Sequence, residues 1–318
     1  MKAVMRMQFM IMILIAFITA FTSGCDGEGN SSNAPGSTTA EPFDLDLALE
    51  LGRLCLQAYQ MLDDFKNDKN FQLPAPFTLE KVFCTTERFI GESIDTNSIE
   101  DKQFCTGKDE VPIAFIATSG EDIFLVFRGT KDIYEWIKDA EFLKEHYDFV
   151  PNAGNTEKGF TKVYRSIHNP ILDELNSLAD STEKFTTLFV TGHSLGAALA
   201  ILSTPELIDK TSFTQPIMYN FAGPRVGDKT FKNLYNSLID TSWRVYNTRD
   251  EAPRFPPLRF NYIHVKTNMS ITFGKDPIDP NRIEENHEMC NYYKHLCNMT
   301  SDPETCKEMA GGADGCKP

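Results

Sequence analysis

The chain has 318 residues and a net charge of −14, with 45 acidic side chains against 31 basic ones. An acidic surface of this kind repels a phosphate backbone, so nucleic acid is excluded as a partner. Hydrophobic residues make up 41% of the chain, which excludes a disordered polymer and supplies material for a sizeable core.

Residues 1–24 read as an export signal. Lys2 and Arg6 give a positive start, and residues 9–22 form an uncharged run with Met10, Ile11, Ile13, Leu14, Ile15 and Phe17. A membrane span needs ~20 apolar residues, so this run suits the apolar stretch of a signal instead. Thr22-Ser23-Gly24-Cys25 resembles the box at which bacterial lipoproteins are cut, which makes Cys25 a candidate for lipidation. An ordinary cut near Ala20 or Gly24 is the other reading. Without Lys2 and Arg6 the net charge is −16. Residues 25–42 follow as a linker, since DGEGNSSNAPGSTTAEP has almost no apolar side chain to offset its ordering entropy. Residues 43–318 then amount to one domain.

Within that domain, Leu47, Leu51, Leu54, Cys55, Ala58 and Leu62 recur at a helical period, which puts Cys55 in a core as a free thiol. Six further cysteines remain: Cys84, Cys105, Cys290, Cys297, Cys306 and Cys316. In an exported chain they suit disulfides, expected as Cys84 with Cys105 and two bridges among the last four, whose pairing is open. Zinc is the alternative, but the chain holds no paired C-x-x-C. Residues 122–127, DIFLVF, predict an early strand that runs into Arg128-Gly129-Thr130.

The stretch LFVTGHSLGAALAIL at residues 188–202 carries the strongest chemical signal. Its first three residues suit a buried strand, and residues 195–202 suit a helix that Pro205 would stop. A sharp turn between the two would strain Ser194 and bring backbone close, which Gly192 and Gly196 allow. Such an elbow exposes the serine hydroxyl and aims the Leu195 N–H at a reacting oxygen. By composition alone, a bare G-x-S-x-G arises in about one chain of this size in ten, so its partners must decide.

A serine hydroxyl needs a base, and the base needs an orienting carboxylate. In a strand–elbow–helix arrangement both follow the serine in the chain. Residues 243–248, WRVYNT, predict a strand, and Asp250 lies at its exit in a loop with Pro253, Pro256 and Pro257. Asp228 and Asp240 flank a predicted helix over 230–239, where capping explains them. Among the later histidines, His264 falls in a strand-like run over 262–267 and His295 in a helix end. His287 sits at a loop-to-helix boundary, free to reach a serine, whereas His193 points away on the elbow. Leu195 and Thr130 are the candidate oxyanion donors.

Together these elements resemble the class 3 lipase family, over roughly residues 58–293. The resemblance rests on Phe127-Arg128-Gly129-Thr130 with Trp136 and Asp139, Gly159-Phe160 with Tyr164, and Gly192 to Gly196. It continues through Phe221-Ala222-Gly223-Pro224-Arg225-Val226-Gly227-Asp228, Arg249-Asp250 with Pro253, and His287-Glu288-Met289 with Tyr292. It implies an α/β-hydrolase fold, a mostly parallel central sheet with helices on both faces. It also implies Ser194 as nucleophile, Asp250 as acid and His287 as base, with Thr130 and Leu195 forming the oxyanion hole. A lid would fall on residues 131–145, with Ile133, Trp136, Ile137 and Phe142 as its apolar face, although the stretch is rich in charge.

The function so implied is hydrolysis of a carboxylic ester, an acylglycerol first, with no metal or cofactor required. The partners are a lipid ester and the membrane or lipid-droplet surface that presents it, met by an exported protein that is either anchored or freely secreted. A phospholipase A1 or galactolipid lipase, a feruloyl-type esterase and an inactive lipid-binding lipoprotein are the rival readings. A polar insert at residues 274–286 separates the acid from the base in a way the family pattern does not account for.

Overall fold

The protein is described from a computed structural model, for residues 42–87, 103–107, 109–130, 141–274, 283–309 and 316. The signal, the tether with Cys25, and Ile133, Trp136 and Ile137 lie outside the described residues. The chain opens with the 22-residue helix α1, Leu45–Lys66, capped by the Asp44 carboxylate on the Leu47 N–H at 3.0 Å. Three strands follow: β1, Thr78–Thr85; β2, Val111–Ser119; and β3, Asp122–Phe127. A short pair, β4 (Lys144–His146) and β5 (Asn155–Glu157), precedes α2, Lys158–Ala179. Then come β6, Thr187–His193; α3, Leu195–Lys210; β7, Ile217–Phe221; α4, Lys229–Leu238; and β8, Ser242–Asn247. Two 3-10 turns, Ala252–Arg254 and Leu258–Phe260, lead to β9, Thr267–Ile271. The C-terminal part is α5, Ile283–His287; α6, Met289–Cys297; and α7, Pro303–Glu308.

Seven strands form one sheet in the order β1-β2-β3-β6-β7-β8-β9. The first two pairings are antiparallel, and every pairing from β3–β6 to β8–β9 is parallel. Period-two alternation divides β3 between two cores: Ile123, Leu125 and Phe127 join one, Phe124 and Val126 the other. The first core meets α2, α3 and α4, and the second meets α1 and α6, so both faces of the sheet are covered. Helix α3 is buried almost all round as far as Leu207, which explains the apolar run over residues 195–202.

Two local expectations are corrected. Pro205 does not stop its helix, which continues to Lys210. The turn beyond the proline is held by tertiary contacts: Tyr164 donates to the Glu206 carboxylate at 2.6 Å, with His168 Nδ1 3.0 Å from its other oxygen. The strand read at residues 262–267 lies instead at Thr267–Ile271, a sheet edge where Ile271 alone is buried. Its sequence is too polar to announce itself, while the apolar run before it makes only an isolated bridge from Ile263 to Gly227.

Disulfides join Cys84 to Cys105, Cys290 to Cys316 and Cys297 to Cys306. Cys55 is a buried free thiol whose pKa is pushed up to about 12 by burial, against a weaker opposing contact from Thr191. Among the described residues no helix is long and apolar enough to cross a membrane.

Candidate active site

The turn from β6 into α3 puts Ser194 at φ 57° and ψ −119°, a region that side chains other than glycine rarely enter. The Ser194 N–H donates to the Phe221 carbonyl at 2.9 Å, which fastens the turn to the end of β7. A Cβ at residue 192 would lie 2.3 Å from the Gly196 carbonyl, and one at residue 196 would lie 2.2 Å from the Phe127 carbonyl. Both glycines are therefore demanded by backbone on backbone, as the motif implied. Ser194 also occupies the N-cap of α3 without capping it, since its side chain makes no bond to the helix N–H groups. The hydroxyl is directed elsewhere.

Its partner is His287, whose Nε2 is 2.8 Å from Ser194 Oγ. His287 Nδ1 is 2.8 Å from Asp250 Oδ2. A carboxylate only accepts, so Nδ1 carries the proton, and it is Nε2 that faces the serine hydroxyl. Asp250 is oriented in turn: Oδ1 accepts from the Ala252 N–H at 2.9 Å, and Oδ2 also accepts from the Tyr292 hydroxyl at 2.7 Å. Ser194, Asp250 and His287 are 0%, 1% and 5% exposed, so water does not compete for these bonds.

Thr130 lies in the segment that leaves the carboxyl end of β3 beside the elbow. Arg128 holds this segment from a fully buried position, with Nε donating to the Pro112 carbonyl at 2.9 Å and Nη1 donating to the Gly129 carbonyl at 2.8 Å. Leu195 opens α3, so its N–H has no acceptor within the helix and is available to a bound oxygen. Phe142 stands apart from any described helix, in a left-handed conformation at φ 50°. Its ring lies 6.0 Å from that of Phe255 and 5.5 Å from that of Phe260. The expected lid stretch also ends in a strand, because Lys144 and Glu145 belong to β4 and pair with β5. That stretch therefore reaches no further than Leu143.

Several residues escaped the sequence reading. Tyr292 was visible only as a motif position; the fold puts its hydroxyl on Asp250 while it accepts from the Asn247 N–H at 2.8 Å. The Asn247 side chain donates to the Asn286 carbonyl at 3.0 Å, and the Asn286 side chain to the Arg249 carbonyl at 3.3 Å. This ladder ties the acid loop to the segment before His287, and no spacing rule announces it. The His193 ring reaches the main chain of His287, with Nε2 2.8 Å from its carbonyl. His264 donates from Nε2 to the Pro253 carbonyl at 2.7 Å, a support of the acid loop. A separate cavity of about 330 Å³, lined by Arg53, Tyr293 and Asp302 among others, touches none of the candidate residues.

Residues 124–260 match the class 3 lipase family. This central segment, which holds the elbow, is similar to that family. The matched segment contains Thr130, Ser194, Leu195 and Asp250, and His287 lies beyond it. Among curated relatives, the chain is 32% identical over 159 residues to a lipase of Rhizomucor miehei, covering 48% of this chain and 43% of that one. It is 30% identical over 150 residues to the secreted mono- and diacylglycerol lipase A of Penicillium cyclopium, covering 47% of this chain and 48% of that one. These alignments span about half the length of the relatives. A longer match, 27% identical over 300 residues, runs to phospholipase A1-II 6 of Oryza sativa subsp. japonica and covers 74% of this chain and 72% of that one. The solved structure of lipase II from Rhizopus niveus superposes with a TM-score of 0.58 at 21% identity, covering 77% of this chain and 92% of that one. The fold is that of an α/β-hydrolase, with its central sheet mostly parallel.

Proposed function

We propose that this protein is an exported serine hydrolase of carboxylic esters, with acylglycerols as its main substrates. The observation that carries the reading is the unbroken chain from Ser194 Oγ through His287 to Asp250, at 2.8 Å in both steps. In this mechanism Ser194 attacks the ester carbonyl while His287 Nε2 takes its proton. Asp250 stabilises the resulting imidazolium and keeps its own charge. Thr130 and Leu195 bind the oxyanion. The imidazolium then protonates the leaving alcohol, and a water activated by His287 releases the acid and restores Ser194. No residue in this sequence of steps needs a metal or cofactor.

The acylglycerol assignment draws support from relatives named as lipases and as mono- and diacylglycerol lipases. A phospholipase A1 activity is the second reading, favoured by the length of the match to the rice phospholipase. We assign the cover of the acyl site to residues 131–143, which would turn outward at a lipid surface. Export agrees with the three disulfides and with relatives named as secreted, whereas anchoring through Cys25 rests on the lipoprotein-like box alone.

The test is fatty-acid release from emulsified triacylglycerol, a diacyl phospholipid and a feruloyl ester, by the wild type and by Ser194→Ala and Asp250→Asn. Wild-type cleavage of the triacylglycerol, lost in Ser194→Ala and reduced about 10⁴-fold in Asp250→Asn, is the expected outcome. Cleavage confined to the phospholipid selects the second reading. Equal rates for wild type and Ser194→Ala refute both.

A further inference from the structure

His193 stands next to the reactive serine in the chain, yet the mechanism above gives it nothing to do. It is almost fully buried, and both ring nitrogens are engaged. Nε2 lies 2.8 Å from the His287 carbonyl, which can only accept, so Nε2 carries the proton. Nδ1 lies 2.7 Å from the Tyr59 hydroxyl, which therefore donates to it. Burial, and then the neighbouring His287, hold the imidazole well below its usual range, so the ring stays neutral. Its centroid is 4.8 Å from that of His287, close enough for a positive charge there to oppose the imidazolium that ester cleavage requires.

The carbonyl it grips is at a weak place. His287 is the last residue of the five-residue helix α5, and Glu288 leaves helical geometry at φ −56°, ψ 130° before α6 begins. The final carbonyls of a helix have no partner within it, so neither helix alone sets where the His287 main chain sits. The same hydroxyl also abuts the loop that ends in Thr130. A Cβ at residue 129 would come within 2.1 Å of the Tyr59 oxygen and 2.7 Å of the His193 carbonyl. Tyr59, brought in by α1, is thus wedged between that loop and the histidine pair.

We propose that Tyr59 and His193 form a neutral strut that positions His287 against Ser194 and keeps the loop bearing Thr130 at a set distance from both. Neither touches substrate, so both are positioning residues. The inference rests on the assignment of Ser194, Asp250 and His287 given above. The His287 carbonyl, which can only accept, fixes the proton on His193 Nε2, and the Tyr59 hydroxyl holds the ring in place through the remaining lone pair at Nδ1.

The experiment uses the full chain with the soluble ester 4-nitrophenyl butyrate and the variants Tyr59→Phe, His193→Gln, His193→Leu and Ser194→Ala. Tyr59→Phe should lower kcat about tenfold with KM unchanged, the size of one lost hydrogen bond in the reacting geometry. His193→Leu should lower it about 100-fold, as a misplaced base does. His193→Gln, which keeps a donor where Nε2 stands, should recover to within about tenfold of the wild type. Ring-nitrogen NMR should find His193 in a single Nε2–H form from about pH 8 to about pH 5, and in Tyr59→Phe the Nδ1 resonance should move as its hydrogen bond is lost. If Ser194→Ala is inactive while Tyr59→Phe and His193→Leu match the wild type, the strut is wrong and the triad stands. If Ser194→Ala matches the wild type, the triad itself is wrong. Should His193→Leu fail to fold, Tyr59→Phe, which removes one oxygen, decides alone.

Discussion

Asp250 accepts three hydrogen bonds, from His287, Tyr292 and the Ala252 N–H, and each comes from a different direction. A buried carboxylate held in this way cannot rotate, so its negative charge stays aligned with the His287 Nδ1–H. Tyr292 is the member whose removal is cleanest. Tyr292→Phe takes one donor from a charged acceptor and leaves the Asn247 N–H without its oxygen. A bond to a charged group is worth about 1.5–3 kcal/mol, so the variant should lose that much stability in denaturant unfolding. Its kcat should fall about tenfold or more, with KM little changed. An unchanged kcat would show that His287 and the Ala252 N–H suffice to hold the carboxylate.

At the scale of elements, the strand–elbow–helix unit and the start of α2 each make a distinct demand. Gly196→Ala drives a Cβ to 2.2 Å from the Phe127 carbonyl, a backbone atom of the central sheet that cannot retreat. Overpacking of this kind costs about 1–3 kcal/mol, and here it must also displace Ser194, so activity should vanish before the fold does. Circular dichroism melting alongside ester turnover checks this order of loss. The start of α2 behaves differently. Glu157 caps it through the Phe160 N–H at 2.8 Å, yet burial pushes its pKa from 4.5 up to about 7, against the lowering by the Phe160 and Gly159 N–H groups. The folded protein then holds a proton that the unfolded chain has released. Stability should fall as pH rises from about 4.5 to about 7 and level off above, by on the order of 3 kcal/mol from this group. Glu157→Gln keeps the acceptor and removes the charge, so it should flatten that slope and be the more stable protein at alkaline pH. A slope identical in both proteins would contradict the assignment.

For the whole molecule, the parallel part of the sheet gathers the candidate residues. Thr130 follows β3, Ser194 follows β6 and Asp250 follows β8, so three parallel strands deliver their residues to one end of the sheet, where ligands bind in open α/β folds. His287 arrives from the C-terminal segment, and α6 just beyond it is pinned by two disulfides, through Cys290 to Cys316 and Cys297 to Cys306. Cys290 is close in the chain to the base, so this bridge secures the side of the site that the sheet does not hold. Replacing Cys290 and Cys316 together by serine should cost about 3 kcal/mol of stability and lower activity at temperatures where the rest of the domain remains folded. Turnover and tryptophan-fluorescence melting, compared between the two proteins, measure both effects. Coincident loss of activity and fold would show instead that the C-terminal part is not a separate weak region.

The glycine-flanked elbow and the helix period that buries Cys55 were legible in the chain because each depends on neighbours in sequence. Backbone strain at Ser194 is written as Gly192 and Gly196, and a buried helix is written as spacing. The Cys84–Cys105 pairing was legible for a related reason, since the two lie 21 residues apart and few partners compete. What the chain could not announce is whatever distant elements supply. The turn of α3 beyond Pro205 survives on contacts with α2, and β9 exists because β8 offers it a parallel edge. The pairing of the last four cysteines waited on the folding of α6 and α7. Tyr59, Asn247 and Tyr292 carry no local mark of their roles, because a hydrogen bond across 134, 39 or 42 residues is decided by where the sheet and helices set the two ends. Sequence determined which side chains are the candidates for chemistry; only the tertiary structure decided which ones hold them still.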